Sequence, residues 1–174
     1  MFVEQESDPR ADAPLQGDER ATLLGFLKWQ RDTLALKCSG LAPGDLARRA
    51  IERSSLSLLG LVRHMADVER SWFRRRLAGL DAPPHYRLPD ADGDFDGAVA
   101  DSDVVDEAWD RWREEISFAD QFVAEAVDLD VVGYEQWRGA ISLRWVLVHM
   151  IEEYARHNGH ADLLRQRIDG RVGQ

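Results

Sequence analysis

SLRWVLVHMIEEYARHNGHADLLRQRIDG, residues Ser142 to Gly170, reads as one long amphipathic helix whose inward face decides the architecture. Ser142 is placed to cap its first free N–H groups, and Gly170 to enter the left-handed turn that stops it. With His149 set to zero and about 100° per residue, Leu143, Val146, Leu147, Met150, Tyr154, Ala161, Leu164 and Ile168 fall within about 60° to 160°. His157 lies at about 80°, inside that arc, and Glu153 at about 40°, on its border. His160 and His149 follow at about 20° and 0°, toward the polar flank. Three of the five histidines therefore crowd into the twelve residues from His149 to His160, and two ionisable side chains point at a core.

Reading outward, three more stretches carry helical spacing. Asp18 to Cys38 presents Leu23, Leu24, Leu27 and Leu34 on one face. SGLAPG, Ser39 to Gly44, breaks that helix, and DLARRAIER is expected to add a helical turn or two. SSLSLLGLVRHMADVERSWFRRRLAG follows as a second long helix, with Ser54 or Ser55 as its cap and Gly79 as its end. Asp81 to Gly97, rich in Pro, Gly and Asp, reads as a long loop between the second and third helices, of the kind that serves as a lid, a binding loop or a disordered stretch. The third helix begins at Asp101 or Asp103 and carries Val105, Trp109, Trp112, Ile116 and Phe122. VDLDVVGYEQWRGA is expected to be irregular, at most briefly extended, and no alternating pattern is long enough for a sheet. The expected fold is all-α: an up-and-down four-helix bundle with one core, to which six tryptophans contribute bulk. A flexible segment over 1–17 and a single domain over 18–170 complete the expected organisation.

Bulk composition narrows the function classes. A chain of 174 residues supports one domain with a proper core. Its 22 Lys+Arg against 32 Asp+Glu leave a net charge of −10, which repels nucleic acid. The basic run RSWFRRRL is expected to be a solvated helix face. One cysteine, Cys38, excludes an intrachain disulfide and suits a reducing compartment, and its place at a helix end suits packing. The first twenty residues lack an apolar leader and no stretch reaches membrane-spanning length. The expectation is a soluble cytoplasmic protein that binds neither nucleic acid nor membrane.

Two arrangements satisfy a buried Glu153 and His157: a hydrogen bond across one helical turn, or a cation held by both. His149 and His160 lie about 16 Å apart along the helix and cannot share an ion. A third donor has to come from a facing helix, and His64 in LGLVRHMADVE aligns with Leu61 and Val68 on the edge of an apolar stripe. His64, Glu153 and His157 would form a three-ligand His2Glu site with a free position, as in catalytic zinc centres. Imidazole and carboxylate donors also suit Ni, Fe or Mn. His149 and His160 are expected beside this site, as outer partners, alternative ligands or surface residues, and His85 as a solvated loop residue.

GLVRHMADVERSWF, together with the 142–170 stretch, resembles the DinB superfamily, and within it the actinobacterial branch related to mycothiol- and bacillithiol-dependent transferases. The resemblance spans about Asp18 to Gly170. It implies a four-helix bundle, often dimeric, with an internal divalent metal held by one His of the second helix and an HxxxH pair of the fourth. Here Glu153 occupies the first position of that pair, similar to the His/Glu/His version in mycothiol-dependent members, so the resemblance too implies His64, Glu153 and His157 as ligands. It further implies a low-molecular-weight thiol such as mycothiol whose sulfur, bound to the metal, loses its proton near neutral pH and attacks an electrophile. Arg144 and Arg156 are candidates for binding that substrate. An alternative is a non-catalytic metal-binding bundle serving in stress or interaction. Glu-x-x-His on two helices, HExxH, a P-loop and GxGxxG are all absent, which leaves no support for a di-iron carboxylate protein, a zincin protease or nucleotide chemistry.

Overall fold

The computed structural model describes residues 3, 7–87 and 91–173. It is mostly helical, as the all-α reading expects, with one small two-stranded sheet in addition. The helices are α1 (Glu19–Cys38), α2 (Pro43–Leu46), α3 (Leu58–Glu69), α4 (Gly93–Asp96), α5 (Ser102–Glu125) and α6 (Leu143–Asp169), and α3 runs on into a π-helical segment, Arg70–Leu77. α1 packs mainly on α6 and α3 mainly on α5, with α3 and α6 also touching. One apolar core joins all four long helices through residues such as Leu27, Leu34, Met65, Phe73, Ala108, Leu147 and Met150.

Most helix boundaries follow local chemistry. Asp18 accepts from the Ala21 N–H at the start of α1, Asp101 from Asp103 N–H at α5, and Ser142 from Trp145 N–H at α6. Gly170 ends α6 at φ 79°, where a Cβ would be strained. α3 starts later than expected: Ser57, not Ser54 or Ser55, caps it by accepting from Gly60 N–H. The expected helical turns over DLARRAIER shrink to the four residues of α2, which begins on Pro43 and ends before Ala47. Val132–Glu135 and Gly139–Ser142 pair antiparallel as β1 and β2, correcting the expectation of no sheet. Four-residue strands are too short to show alternation, and the hairpin is closed by Glu135, whose carboxylate accepts from the Trp137 and Arg138 N–H groups.

The basic run is a solvated face only in part, at Arg75. Arg70 and Arg74 both donate to Glu115, a buried carboxylate of α5, at 2.7 and 2.5 Å. His85 donates to the same carboxylate at 3.0 Å and its side chain is only 8% exposed, so the loop histidine is buried rather than solvated. Cys38 is buried, and burial pushes its thiol up to about 12, which suits packing and not nucleophilic attack. Within the stretch expected to be flexible, Arg10 donates to Thr33 of α1 and lies over the Trp29 ring at 4.2 Å.

At the centre of the helices lies a charged network that is buried except at its Asp120 end. Arg31 of α1 forms a two-pronged pair with Glu69 of α3, both contacts at 2.8 Å, and also donates to Asp120 of α5. Tyr154 of α6 donates its hydroxyl to Glu69 at 2.8 Å and accepts from the Trp112 indole of α5 at 2.8 Å. Glu69 and Tyr154 are fully buried. Burial opposes the charge of Arg31, but Glu69 more than offsets it and raises the guanidinium pKa. Burial and the adjoining Glu69 likewise keep the Tyr154 phenol protonated. Glu69→Ala should therefore strand Arg31 without its partner and cost about 3–5 kcal/mol in urea unfolding, whereas Tyr154→Phe should cost about 1–3 kcal/mol.

Candidate metal centre

α3 and α6 bring His64, Glu153 and His157 together, with one ligand atom of each within 4.8 Å of the others. The closest approaches are His157 Nε2 to Glu153 Oε1 at 3.5 Å and His64 Nε2 to the same oxygen at 3.7 Å. These separations are long for hydrogen bonds, yet donors about 2.1 Å from a tetrahedral ion stand roughly 3.4 Å apart. The rings of His64 and His157 meet at 4.7 Å between centroids. All three side chains remain partly accessible, at 15%, 17% and 11% exposure in chain order.

The reason Glu153 and His157 face α3 lies next door. Tyr154 is pinned toward Glu69 and Trp112, and its neighbour Glu153 stands about 100° around the helix, toward His64. His157 follows one turn later on the same side. His64 projects from α3 one turn before Val68, against the Phe95 ring at 5.5 Å.

His64 carries the decisive hydrogen-bond pattern. Its Nδ1–H donates to Asp94 Oδ2 at 2.8 Å, so in the neutral ring the Nε2 lone pair is the group directed at Glu153. That Nε2 is buried and has no hydrogen-bond partner. A lone pair facing a carboxylate calls for positive charge between them, either a proton on the ring or a cation. The donor set therefore fits a divalent ion. His157 is arranged the same way: Nε2 faces Glu153, and Nδ1 lies 3.4 Å from His160 Nδ1. His160 and Asp94 both stand behind the ligand-bearing rings, on the nitrogens turned away from Glu153, where outer partners orient metal ligands.

The other anticipated residues lie elsewhere. His149 stacks on Trp145, 5.1 Å away at 13°, and meets the edge of Trp72 at 4.6 Å. Arg144 pairs with Glu19 and Asp130 at the surface, and Arg156 pairs with Glu152 one turn away on the exposed side of α6. Burial lowers the pKa of His149, and burial followed by the neighbouring His157 charge lowers that of His160.

Asp94 is the functional residue that sequence reading missed. It sits in α4, inside the Asp81–Gly97 stretch read as a loop, and is nearly fully buried. Arg63 fastens this turn to α3 by donating to the Asp94 and Gly93 carbonyls at 2.8 and 2.9 Å. Asp67 fastens the preceding strand of the loop by accepting from the His85 and Tyr86 N–H groups. Gly60 leaves room for the Phe95 ring, which would lie 2.6 Å from a Cβ there. Several aspartates crowd that loop in DADGDFDG, and no spacing rule singles out the one that folds back onto His64.

The charges of the cluster depend on one another. Burial opposes protonation of His64, but Asp94 and then Glu153 outweigh it and leave its pKa raised. His157 first and His64 second hold Glu153 well below the usual carboxylate range. In the metal-free protein, a raised His64 stabilises the fold fully below its unfolded pKa, and that contribution is lost as pH rises through the folded value. Asp94→Asn should lower the His64 titration midpoint read by NMR in metal-free protein and reduce that stabilisation; an unchanged midpoint would contradict the coupling.

The mycothiol S-transferase family model matches residues 22–170. No curated protein and no solved structure matches the chain. With that match covering nearly the whole of the helical core and both halves of the His64/Glu153/His157 cluster, the chain belongs to the mycothiol S-transferase family.

Proposed function

We propose that this protein is a metal-dependent S-transferase that joins a low-molecular-weight thiol of the mycothiol type to an electrophile. The observation that carries the reading is a cluster of three donors, His64, Glu153 and His157, with no fourth His, Cys, Asp or Glu donor grouped with them among the described residues. A closed, purely structural site would need another protein ligand, and the nearest candidate, His160, lies on the far nitrogen of His157. Each of the three side chains keeps some exposure, between 11% and 17%.

In this reading His64, Glu153 and His157 hold a divalent ion, zinc by preference for the donor set, with Ni, Fe or Mn as alternatives. When bound, the ion lowers the pKa of a thiol at that position, so that sulfur reacts as thiolate near neutral pH. Asp94 fixes the His64 tautomer and His160 supports His157, so that both Nε2 lone pairs stay turned inward. Sulfur forms its bond to the electrophilic carbon as that carbon's leaving group departs with its electron pair; in an addition, the adjacent carbon instead takes up a proton from solvent. The thiol proton passes to solvent. Cys38, buried with a raised pKa, takes no part.

The same proposal includes a single bundle domain over 18–170, an up-and-down arrangement of its four long helices, a homodimer and a cytoplasmic setting without nucleic-acid or membrane partners. Support comes from the continuous core, the net charge of −10, and the finding that no helix among the described residues is long and apolar enough to cross a membrane.

Metal analysis of purified protein should find about one divalent ion per chain, lost in His157→Ala and Glu153→Gln, with thiol conjugation lost in parallel. Asp94→Ala should weaken metal affinity by about 10–100-fold while leaving the ligands in place. Stoichiometric metal without conjugation of any thiol would favour a non-catalytic metal-binding bundle. A folded wild type that takes up no metal after reconstitution would sink the site altogether.

A further inference from the structure

One region beside the ligand cluster gathers charge against the sign of the whole chain. Arg70, Arg75, Arg76 and Arg87, with Ser71 and Asp67, line a cleft of about 320 Å³ between the π-helical segment and the loop that follows it. The size matches the lower end of small-molecule pockets, about 300–1,000 Å³. Four guanidinium groups around one small space repel one another unless carboxylates or a ligand compensate them.

The compensation inside the protein is incomplete. Asp67, the one acid of the lining, already accepts from the His85 and Tyr86 N–H groups. Arg70 is tied to Glu115, and Arg76 to Ser71 and, at 3.5 Å, to Glu135. Arg75 makes no hydrogen bond or ion pair with any described residue. Arg87 reaches only the Ala91 carbonyl at 3.4 Å and Asp94 at 3.9 Å. Among the described residues, Arg75 thus borders the cleft with no carboxylate partner and Arg87 with only the long contact to Asp94, in a chain that has ten more acids than bases.

One contact links the cleft to the proposed centre, that of Arg87 with Asp94 at 3.9 Å. Asp67 and Ser71 follow His64 by three and seven residues, on the same side of the helix. Arg87 approaches Asp94 Oδ2, the oxygen that accepts from His64. We propose that this cleft receives the anionic group, a carboxylate or a phosphate, of the electrophile, which its guanidinium forks would hold in two-pronged fashion. The substrate class is then an acidic electrophile; this assignment rests on the transferase reading above.

Succinate and inorganic phosphate, titrated calorimetrically into the metal-loaded protein at constant ionic strength, test the cleft directly. The Arg75→Gln/Arg87→Gln double variant should weaken binding of the preferred probe about tenfold or more, while Arg48→Gln, outside the lining, keeps it. Whichever probe binds tighter distinguishes carboxylate from phosphate. No binding to wild type, or equal binding to wild type and double variant, overturns the anion site. In a second measurement, N-chloroacetylglycine and its methyl ester are compared as electrophiles with mycothiol. Wild type should prefer the acid, and the acid-over-ester ratio of kcat/KM should fall about tenfold in the double variant but not in Arg48→Gln. An unchanged ratio overturns the substrate assignment. Failure of both compounds to react overturns the transferase reading and the substrate assignment with it, while the calorimetry still decides whether the cleft binds anions.

Discussion

Arg31 cannot be buried without Glu69, and that requirement organises the molecule. The pair joins α1 to α3, Asp120 brings in α5, and Tyr154 with Trp112 ties α6 to α5. Hydrophobic packing is tolerant of small rotations and slides of a helix, because apolar contacts have little direction. A two-pronged guanidinium–carboxylate pair with an added phenol and indole is not, since each donor must meet its acceptor within a narrow range of distance and angle. Tyr154 therefore sets the rotation of α6, and Glu153, its neighbour in sequence, inherits an orientation toward α3. The His64/Glu153/His157 cluster thus depends on a network to which its own three residues do not belong.

A second buried acid plays a comparable part just beyond the C-terminal end of α3, along the π-helical segment. Glu115 gathers Arg70, Arg74 and His85, and its pKa is lowered because these three partners outweigh the burial that opposes its charge. The result fastens α5, the π-helical segment and the loop after it into one body. Arg63 and Asp67 extend that body by holding α4 and the residues around Tyr86 against α3. Through these contacts a stretch with little apolar patterning delivers Asp94 to the back of His64. Charged residues in this protein thus do structural work that composition alone would assign to solvent.

The two histidines of the cluster are held in equivalent ways by different means. His64 is backed by a carboxylate from a distant segment, His157 by an imidazole one turn along its own helix. In both, the outer partner occupies Nδ1 and leaves Nε2 turned toward Glu153. The groups that orient the two rings therefore stay clear of the space between the Nε2 atoms and Glu153. Arg87 of the arginine cleft stands 3.9 Å from Asp94, the carboxylate behind His64.

Much of this was legible in residues that act locally. Asp18, Asp101 and Ser142 marked helix starts because a capping side chain acts within three residues, and Gly170 marked an end because only glycine adopts that backbone freely. The angular spacing on α6 showed Glu153 and His157 turned inward, and the edge position of His64 suggested a facing partner. The short hairpin escaped because four-residue strands show no alternation, and the true cap at Ser57 because Ser54, Ser55 and Ser57 offer the same capping hydroxyl. RSWFRRRL and His85 looked solvated because a charge shows its sign in sequence but not its partner, and Glu115 lies thirty residues beyond His85. The sequence by itself determined the helices, their inward faces and the three donors. Only the tertiary structure decided that Arg31 and Glu69 would set the register, that Asp94 would stand behind His64, and that four arginines would share one cleft, because these are contacts between segments whose meeting no local periodicity encodes.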